Sequence, residues 1–188
     1  EYEAKAADAG YADAQLELGY FYEYGYGVEQ SYDKALEYYT LASEQGDADA
    51  TVNLGLMYEY GNGVDKDPKR AVECYQTAAD MGDARGQAYL AIMYRDGNGV
   101  QKDYAKAVEY YTLAAEQDNL TALNNLAILY LEGKGVEADE TKAIELYTRA
   151  AELGEPYAQY NLGFSYFMGK GVEKDYAKAA YWYNECVN

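Results

Sequence analysis

The sequence repeats itself every 36 residues, and this period constrains the fold more than any other feature. The tetrapeptide Gly-x-Gly-Val recurs at a constant interval, with no insertion between copies. The five copies begin at Gly25, Gly61, Gly97, Gly133 and Gly169. Periods of about 20–50 residues are typical of repeat architectures, in which each unit packs against its neighbours along the chain. The sequence therefore predicts a solenoid built from one repeated unit.

Each repeat is predicted to contain two α-helices, one on either side of the glycine loop. The first, helix A, carries small and apolar residues four positions apart, as at Ala14, Leu18 and Tyr22. The second, helix B, follows the loop with the same kind of spacing, as at Ala35 and Tyr39. Spacings of three and four place side chains on one face of a helix. Since no strand pattern occurs in the sequence, the chain is predicted to be all-α.

Cap residues mark the ends of these helices. The position before helix B carries serine or aspartate, whose side-chain oxygen accepts a hydrogen bond from a free backbone N–H. These predicted N-caps are Ser31, Asp67, Asp103, Asp139 and Asp175. Gly25 and its equivalents are predicted to end helix A in the left-handed conformation that glycine adopts at little cost. Gly46, Gly82 and Gly154 are predicted to end helix B in the same way, with Asp118 in place of glycine in the third copy.

These columns divide the chain into five complete repeats and one fragment. The repeats are predicted at about 11–46, 47–82, 83–118, 119–154 and 155–188. Residues 1–10 align with the end of helix B and are predicted to be a partial helix B, which makes eleven helices in all. We expect residues 1–188 to form a single repeat domain.

The columns together resemble the Sel1-like repeat of the tetratricopeptide-like superfamily. A clean copy runs from Ala50 through Leu54-Gly55 and the Gly61-Asn62-Gly63-Val64 loop to Ala71. The resemblance covers the whole chain and implies a right-handed α/α superhelical solenoid of helix-turn-helix repeats. It also implies an adaptor or scaffold that binds other proteins and carries out no reaction itself. A bacterial cysteine-rich branch of the family has a disulfide in each repeat, whereas this chain has only two cysteines, which are expected to be free packing residues.

The charge and residue types of the chain exclude several classes of function. The 188 residues contain 15 Lys and Arg against 33 Asp and Glu, a net charge of −18, and no histidine. Such a chain repels phosphate groups, so neither nucleic acid nor an anionic membrane is an expected ligand. Without histidine, triad catalysis is impossible within the chain and the commonest metal ligand is missing. We therefore predict no enzyme activity, no catalytic residue, no metal site and no cofactor.

One row of carboxylates recurs on helix B and is interpreted as structural. Glu37, Glu73, Glu109 and Glu145 lie three positions after Lys34, Arg70, Lys106 and Lys142. Residues three apart are neighbours on a helix surface, so the row predicts solvated ion pairs. A pair of catalytic carboxylates would be expected once in the chain and not in four copies.

Helix A carries the positions that vary between repeats, and the family resemblance implies that it lines a concave groove. One variable column holds Glu17, Asn53, Tyr89, Asn125 and Asn161. An amide both donates and accepts, so an asparagine ladder could bind the main chain of an extended peptide, or else bind the neighbouring helix. Tyrosine occurs 25 times, and tyrosines outside the core columns suit a recognition surface. The predicted partner-binding residues are Asn53, Tyr89, Asn125, Asn161, Tyr24, Tyr60, Tyr157, Tyr160, Arg85 and Arg95.

These observations predict a protein-interaction scaffold whose groove binds a neutral or basic segment of a partner. Arg85 and Arg95 are too few for the carboxylate clamp of chaperone-binding tetratricopeptide domains, so an acidic C-terminal peptide is a poor candidate ligand. The alternative is a glycan-binding module of a cell envelope, in which exposed tyrosines stack on sugar rings.

The sequence contains no targeting segment and no apolar run long enough to cross a membrane. Its two cysteines, Cys74 and Cys186, favour a reducing compartment, and bacterial export is compatible with the sequence as well. The last helix B ends on Trp182-Tyr183 without a polar capping helix. We therefore expect further chain, or an end-to-end homo-oligomer formed through the terminal repeats, to cover that end.

Overall fold

The structure, a computed structural model, describes residues 10–187. These residues form ten α-helices and no strand, which confirms the all-α helical-repeat fold. The helices are α1 (Ala12–Tyr24), α2 (Tyr32–Glu44), α3 (Ala48–Tyr60), α4 (Pro68–Asp80), α5 (Ala84–Asp96), α6 (Tyr104–Glu116), α7 (Leu120–Glu132), α8 (Glu140–Glu152), α9 (Pro156–Met168) and α10 (Tyr176–Glu185). Odd numbers are helices A and even numbers are helices B. The partial helix B predicted at the start of the chain lies almost wholly outside the described residues.

The chain divides into two compact units, Glu1–Lys102 and Asp103–Asn188. In unit 1, which holds α1 to α5, each helix packs against the next, and helices A of successive repeats, α3 and α5, also touch. In unit 2, which holds α6 to α10, each helix again packs against the next. Within each unit, helical hairpins therefore stack on one another as the period predicts. The single repeat domain expected over residues 1–188 stays a prediction.

The predicted cap residues end the helices as expected. Gly25 and its four equivalents close helices A with positive φ angles. Ser31 and the four aspartates of its column each accept a backbone N–H at the start of a helix B. Helices A from the second repeat onward also have N-caps, at Asp47, Asp83, Asn119 and Glu155. Asp118 adopts a left-handed φ of 61°, because it occupies the glycine column at the end of helix B.

The core is built on a tyrosine of helix B that packs against a small residue of helix A. Tyr39 and Tyr75 are completely buried. A Cβ added to Gly55 would lie 2.6 Å from a ring carbon of Tyr75, so the ring occupies the space that a larger residue would need. The hydroxyl of Tyr39 donates to Glu23 at 2.6 Å, and that of Tyr75 donates to Glu59 at 2.7 Å. These bonds confirm that the rings reach from the core to a polar edge.

Apart from the buried Tyr94, the tyrosine column of helix A is only partly buried, and basic side chains of helix B cover Tyr22, Tyr58 and Tyr166. The amine of Lys34 lies 4.6 Å from the ring centre of Tyr22, and the guanidinium of Arg70 lies 5.4 Å from that of Tyr58. Within unit 2 the predicted carboxylate row forms an ion pair, in which the Lys142 amine lies 2.8 Å from a carboxylate oxygen of Glu145. In unit 1, Lys34 and Arg70 gain from an aromatic face, and Arg70 also lies 3.8 Å from a carboxylate oxygen of Asp67.

The second glycine of each loop sets the contact between successive repeats. Gly63 has a φ of +69°, and a Cβ there would lie 2.7 Å from the backbone carbonyl carbon of Tyr32, at the start of the preceding helix B. Gly99, Gly135 and Gly171 approach the preceding helix B in the same way. The glycine is therefore required both for its left-handed backbone and for the close approach of two repeats.

Substitution of Gly63 should separate these two requirements. Gly27 occupies the same loop position with a φ of +71°, and no described atom lies within 4 Å of an added Cβ. We expect Gly27→Ala to lower the free energy of unfolding by about 1 kcal/mol through backbone strain alone. Gly63→Ala should lower it by about 3 kcal/mol, because the clash with backbone adds to the strain. Urea denaturation measures both, and equal losses would contradict the inter-repeat role.

The buried tyrosines should make the protein sensitive to alkaline pH. Burial, followed by the bonds to Glu23 and Glu59, raises the pKa of the Tyr39 and Tyr75 hydroxyls, and burial raises the pKa of Tyr147 to about 12. The folded state therefore keeps protons that the unfolded chain loses near pH 10. The contribution of these tyrosines to stability should be constant below about pH 10 and fall above it, by about 1.4 kcal/mol per pH unit for each such tyrosine.

Urea midpoints measured from pH 8 to pH 12 would test this dependence. Tyr75→Phe should make the alkaline fall shallower, because one group that holds its proton in the folded state is removed. Tyr157→Phe, at an exposed ring, is the control and should keep the wild-type slope. A slope that Tyr75→Phe leaves unchanged would assign the alkaline effect to other groups.

Candidate functional site

The candidate site lies on the side of helix A opposite the buried column of Leu18. In α1 this side carries Asp13, Leu16, Glu17, Tyr20 and Tyr24. Positions three, four and seven apart share one face of a helix, so their equivalents at steps of 36 residues lie on the same side of each later helix A. We call this surface the helix-A face.

In unit 1 the helix-A face contains a cleft of about 300 Å³. The residues that line this unit 1 cleft come from α1, α3 and α5, and they are Leu16, Glu17, Tyr20, Asp49, Asn53 and Arg85. The guanidinium of Arg85 donates to Asp49 at 2.7 Å and to Asn53 at 3.1 Å. The cleft thus joins three successive repeats, and it brings together two of the predicted residues, Asn53 and Arg85.

The unit 1 cleft combines a net negative charge with one aromatic ring. It holds two carboxylates, Glu17 and Asp49, against the single guanidinium of Arg85. Arg85 pairs with Asp49, and no described residue pairs with the Glu17 carboxylate. The ring of Tyr20 is 44% exposed, and its centre lies 4.8 Å from that of Tyr24. The cleft therefore offers a carboxylate that no residue of 10–187 pairs with, together with an accessible aromatic face.

Tyr24 belongs to a short aromatic strip at the end of α1. Its ring lies between those of Tyr20 and Tyr26, whose centres are 4.8 and 5.7 Å from its own. Burial raises the pKa of the Tyr24 hydroxyl, and the charge of Glu23 and the neighbouring Tyr20 raise it further. The raised pKa keeps the Tyr24 phenol neutral at physiological pH. The three rings of the strip offer contact surface and hydrogen-bonding groups.

In unit 2 the helix-A face contains a second cleft, of about 400 Å³. The residues that line this unit 2 cleft are Leu120, Thr121, Asn124, Asn125, Glu155, Pro156 and Tyr157. The Asn125 amide donates to the carbonyl of Thr121 at 2.8 Å, and that of Asn161 donates to Asn124 at 3.4 Å. Amide groups thus replace the charges found in the unit 1 cleft. The asparagine column also contacts neighbouring helices, as the second interpretation of the ladder allowed.

The remaining predicted residues lie around these clefts or make their own contacts. Tyr89 stacks on the buried Tyr75, with ring centres 5.1 Å apart. Tyr60 and Tyr157 are 64% and 75% exposed. Tyr160 packs against Tyr183 at 5.6 Å. Arg95 donates two hydrogen bonds to the adjacent Asp96, at 2.7 and 2.8 Å, which lowers the pKa of that carboxyl.

The predicted set omits four residues that line the unit 1 cleft. Glu17 appears in the sequence analysis only as the acidic member of the asparagine column, and Leu16, Tyr20 and Asp49 are not singled out there. The available signal was their spacing, because positions 13, 16 and 20 share the face of position 17. Since these columns differ from repeat to repeat, they stand out less than the core columns do.

The described residues contain no group of three histidine, cysteine or carboxylate side chains that could hold a metal ion. None of the helices in residues 10–187 has both the length and the hydrophobicity of a membrane-spanning segment. Cys74 and Cys186 are free, and burial raises the pKa of the Cys74 thiol to about 11, which keeps it protonated and unreactive at neutral pH.

The family model described as Sel1 repeat matches residues 12–47, 48–83, 84–119, 120–155 and 156–185. No curated protein matches the chain at a significant level.

Solved structures include similar chains. One is a protective antigen present in uropathogenic Escherichia coli strains, which displays an SLR fold. It is 35% identical with a TM-score of 0.93, and the match covers 99% of this chain and 40% of that one. A Sel1 repeat protein from Oxalobacter formigenes is 36% identical with a TM-score of 0.88, over 95% of this chain and 71% of that one. An immunity protein from Pseudomonas aeruginosa is 27% identical with a TM-score of 0.64, over 94% of this chain and 65% of that one. The chain thus spans less than half the length of the Escherichia coli protein.

The pair formed by Arg85 and Asp49 should stabilise the fold only slightly. Both side chains are partly exposed, so a double-mutant cycle of Arg85→Ala and Asp49→Ala should give a coupling free energy of about 0.5 kcal/mol. The coupling should shrink at high salt, because exposed charges are screened. Thermal denaturation of the four proteins measures it, and a coupling of several kcal/mol would make the pair a structural bridge.

Proposed function

The chain belongs to the Sel1 repeat family, and we propose that it is a non-catalytic scaffold whose helix-A face binds a neutral or basic segment of a partner protein. Sel1 repeat proteins are generally scaffolds for protein interactions and generally lack catalytic activity. The proposal that the helix-A face binds the partner rests on the unit 1 cleft. This cleft holds the Glu17 carboxylate, which pairs with no described residue, and the exposed ring of Tyr20.

The charge of the chain supports a neutral or basic partner. A net charge of −18 attracts a basic segment over a distance of about a Debye length and repels an acidic one. Within the unit 1 cleft, the carboxylates of Glu17 and Asp49 outnumber the guanidinium of Arg85. Long-range attraction and the local charge of the cleft therefore favour the same kind of partner.

The unit 2 cleft supports contacts of a different kind. Its amides can donate to and accept from the main chain of an extended peptide, and its Tyr157 ring supplies contact area with little loss of side-chain entropy. Such contacts are indifferent to the charge of the partner. They suit a neutral segment, and the unit 1 cleft suits a basic one.

Site-specific photo-crosslinking tests the proposed surface. A photoreactive amino acid replaces Tyr20 or Tyr157 on the helix-A face, and in the control proteins it replaces the exposed Glu37 or Glu109 on helices B. After affinity capture of a partner, we expect that partner to crosslink from the first two positions and not from the controls. Equal crosslinking from the controls would place the partner on another surface.

The same partner provides a kinetic readout of its charge. Raising the ionic strength from low to physiological should slow association, because salt screens the attraction between the acidic chain and a basic segment. An association rate that does not change with salt would remove electrostatic steering from the proposal and leave a neutral segment as the ligand.

Exposed tyrosines also support glycan binding as a second candidate function. Tyr160 is 53% exposed and lies on the helix-A face of α9 beside Phe164. Aromatic faces of this kind can stack on sugar rings. A glycan array probed with the wild type, Tyr60→Ala and Tyr160→Ala distinguishes the two functions, because glycan binding that both variants lose would favour the second.

A further inference from the structure

We propose that the unit 1 cleft is a guanidinium site, which takes an arginine side chain of the partner between the carboxylates of Glu17 and Asp49 and against the ring of Tyr20. This inference rests on the proposed function and specifies the chemistry of its ligand.

The chain itself shows how this surface holds a guanidinium. Arg85 reaches from α5 to α3, where Asp49 and Asn53 accept its hydrogen bonds at 2.7 and 3.1 Å. The two acceptors are four residues apart on one helix, and the donor lies 36 residues after the first of them. The hydrogen bonds of Arg85 therefore depend on the register between two stacked repeats.

One repeat earlier, the same two acceptor positions lack an internal arginine. The equivalents of Asp49 and Asn53 on α1 are Asp13 and Glu17, and the position equivalent to Arg85 is held by Asp49. A second carboxylate therefore replaces the asparagine, and a carboxylate replaces the cation. No described residue forms an ion pair with Asp13 or Glu17, and a guanidinium of the partner would bring the opposite charge to these carboxylates.

The aromatic ring beside these carboxylates favours arginine over lysine. Tyr20 lines the same cleft and leaves 44% of its surface exposed. A planar guanidinium can stack on such a ring while its N–H groups donate to carboxylates, whereas an ammonium is more strongly hydrated and has no plane to stack. Arginine also forms two parallel bonds with one carboxylate.

An anion is a poor occupant of the cleft. The guanidinium of Arg85 is already bound by Asp49, and the carboxylates of Glu17 and Asp49 would repel a second negative group. The unit 2 cleft holds the amides of Asn124 and Asn125 and the single carboxylate of Glu155, which already accepts the backbone N–H of Ala158. The guanidinium site is therefore assigned to unit 1.

Titration with a capped amino acid tests the site in the whole chain. N-acetyl-arginine amide is added to the ¹⁵N-labelled protein, and backbone amide shifts are followed by NMR. We expect saturable shifts in α1 and α3 around Glu17 and Asp49. N-acetyl-citrulline amide, which is nearly isosteric and uncharged, should cause none, and N-acetyl-lysine amide should bind about threefold more weakly than arginine.

Two substitutions should shift the affinity in opposite directions. Glu17→Gln should weaken arginine binding about fivefold, because it removes the unpaired carboxylate and keeps the shape. Glu37→Gln removes the same charge from an exposed position on α2 and should leave the affinity unchanged. Arg85→Ala should tighten binding about threefold, because it frees Asp49 and Asn53 for the added guanidinium.

Three results would overturn the assignment. They are shifts that map to another surface, equal binding of citrulline or lysine, and an Arg85→Ala protein that binds arginine more weakly. Failure here is separable from failure of the proposed function. If the arginine titration fails and the partner still crosslinks from Tyr20, the helix-A face binds by other chemistry. If crosslinking fails as well, the scaffold surface is wrong.

Discussion

The packing of a helix B tyrosine against a small residue of helix A is the contact on which the rest of each repeat depends. The ring of Tyr75 lies where a side chain on Gly55 would need to be, and its hydroxyl reaches Glu59 at the edge of the core. A buried ring stabilises the hairpin by about 1.5–3 kcal/mol, and the small partner lets the two helices approach closely. This contact also sets the rotation of helix A about its axis.

That rotation decides which residues are available for binding. With Leu18 and Gly19 buried, Glu17 and Tyr20 lie on the exposed side of α1. A binding surface on helix A is therefore a consequence of the way its other side is buried. Glu23 and Glu59 accept hydrogen bonds from the hydroxyls of the core tyrosines Tyr39 and Tyr75, so their role is structural.

The second contact that matters is the one between repeats. The glycine of each loop that lies against the preceding helix B keeps successive hairpins in register, as Gly63 does against Tyr32. Because of this register, residues 36 positions apart can meet, and the bond between Arg85 and Asp49 is an example. The same scaffold carries a charged cleft in unit 1 and a cleft with two asparagine amides in unit 2, because the residues of the helix-A face differ between the two units.

The repeat length, the helical hairpin, its cap residues and the buried columns can be read from the amino-acid sequence. These features follow from local backbone preferences and from a periodicity that five copies report independently. Leu18, Tyr39 and the caps of helix B were predictable for this reason. The contacts between variable residues are different, because they depend on the distance and register between packed helices. The pairing of Arg85 with Asp49 and Asn53, and the position of Glu17 near Tyr20 with no ion-pair partner among the described residues, could not be read from spacing within one helix.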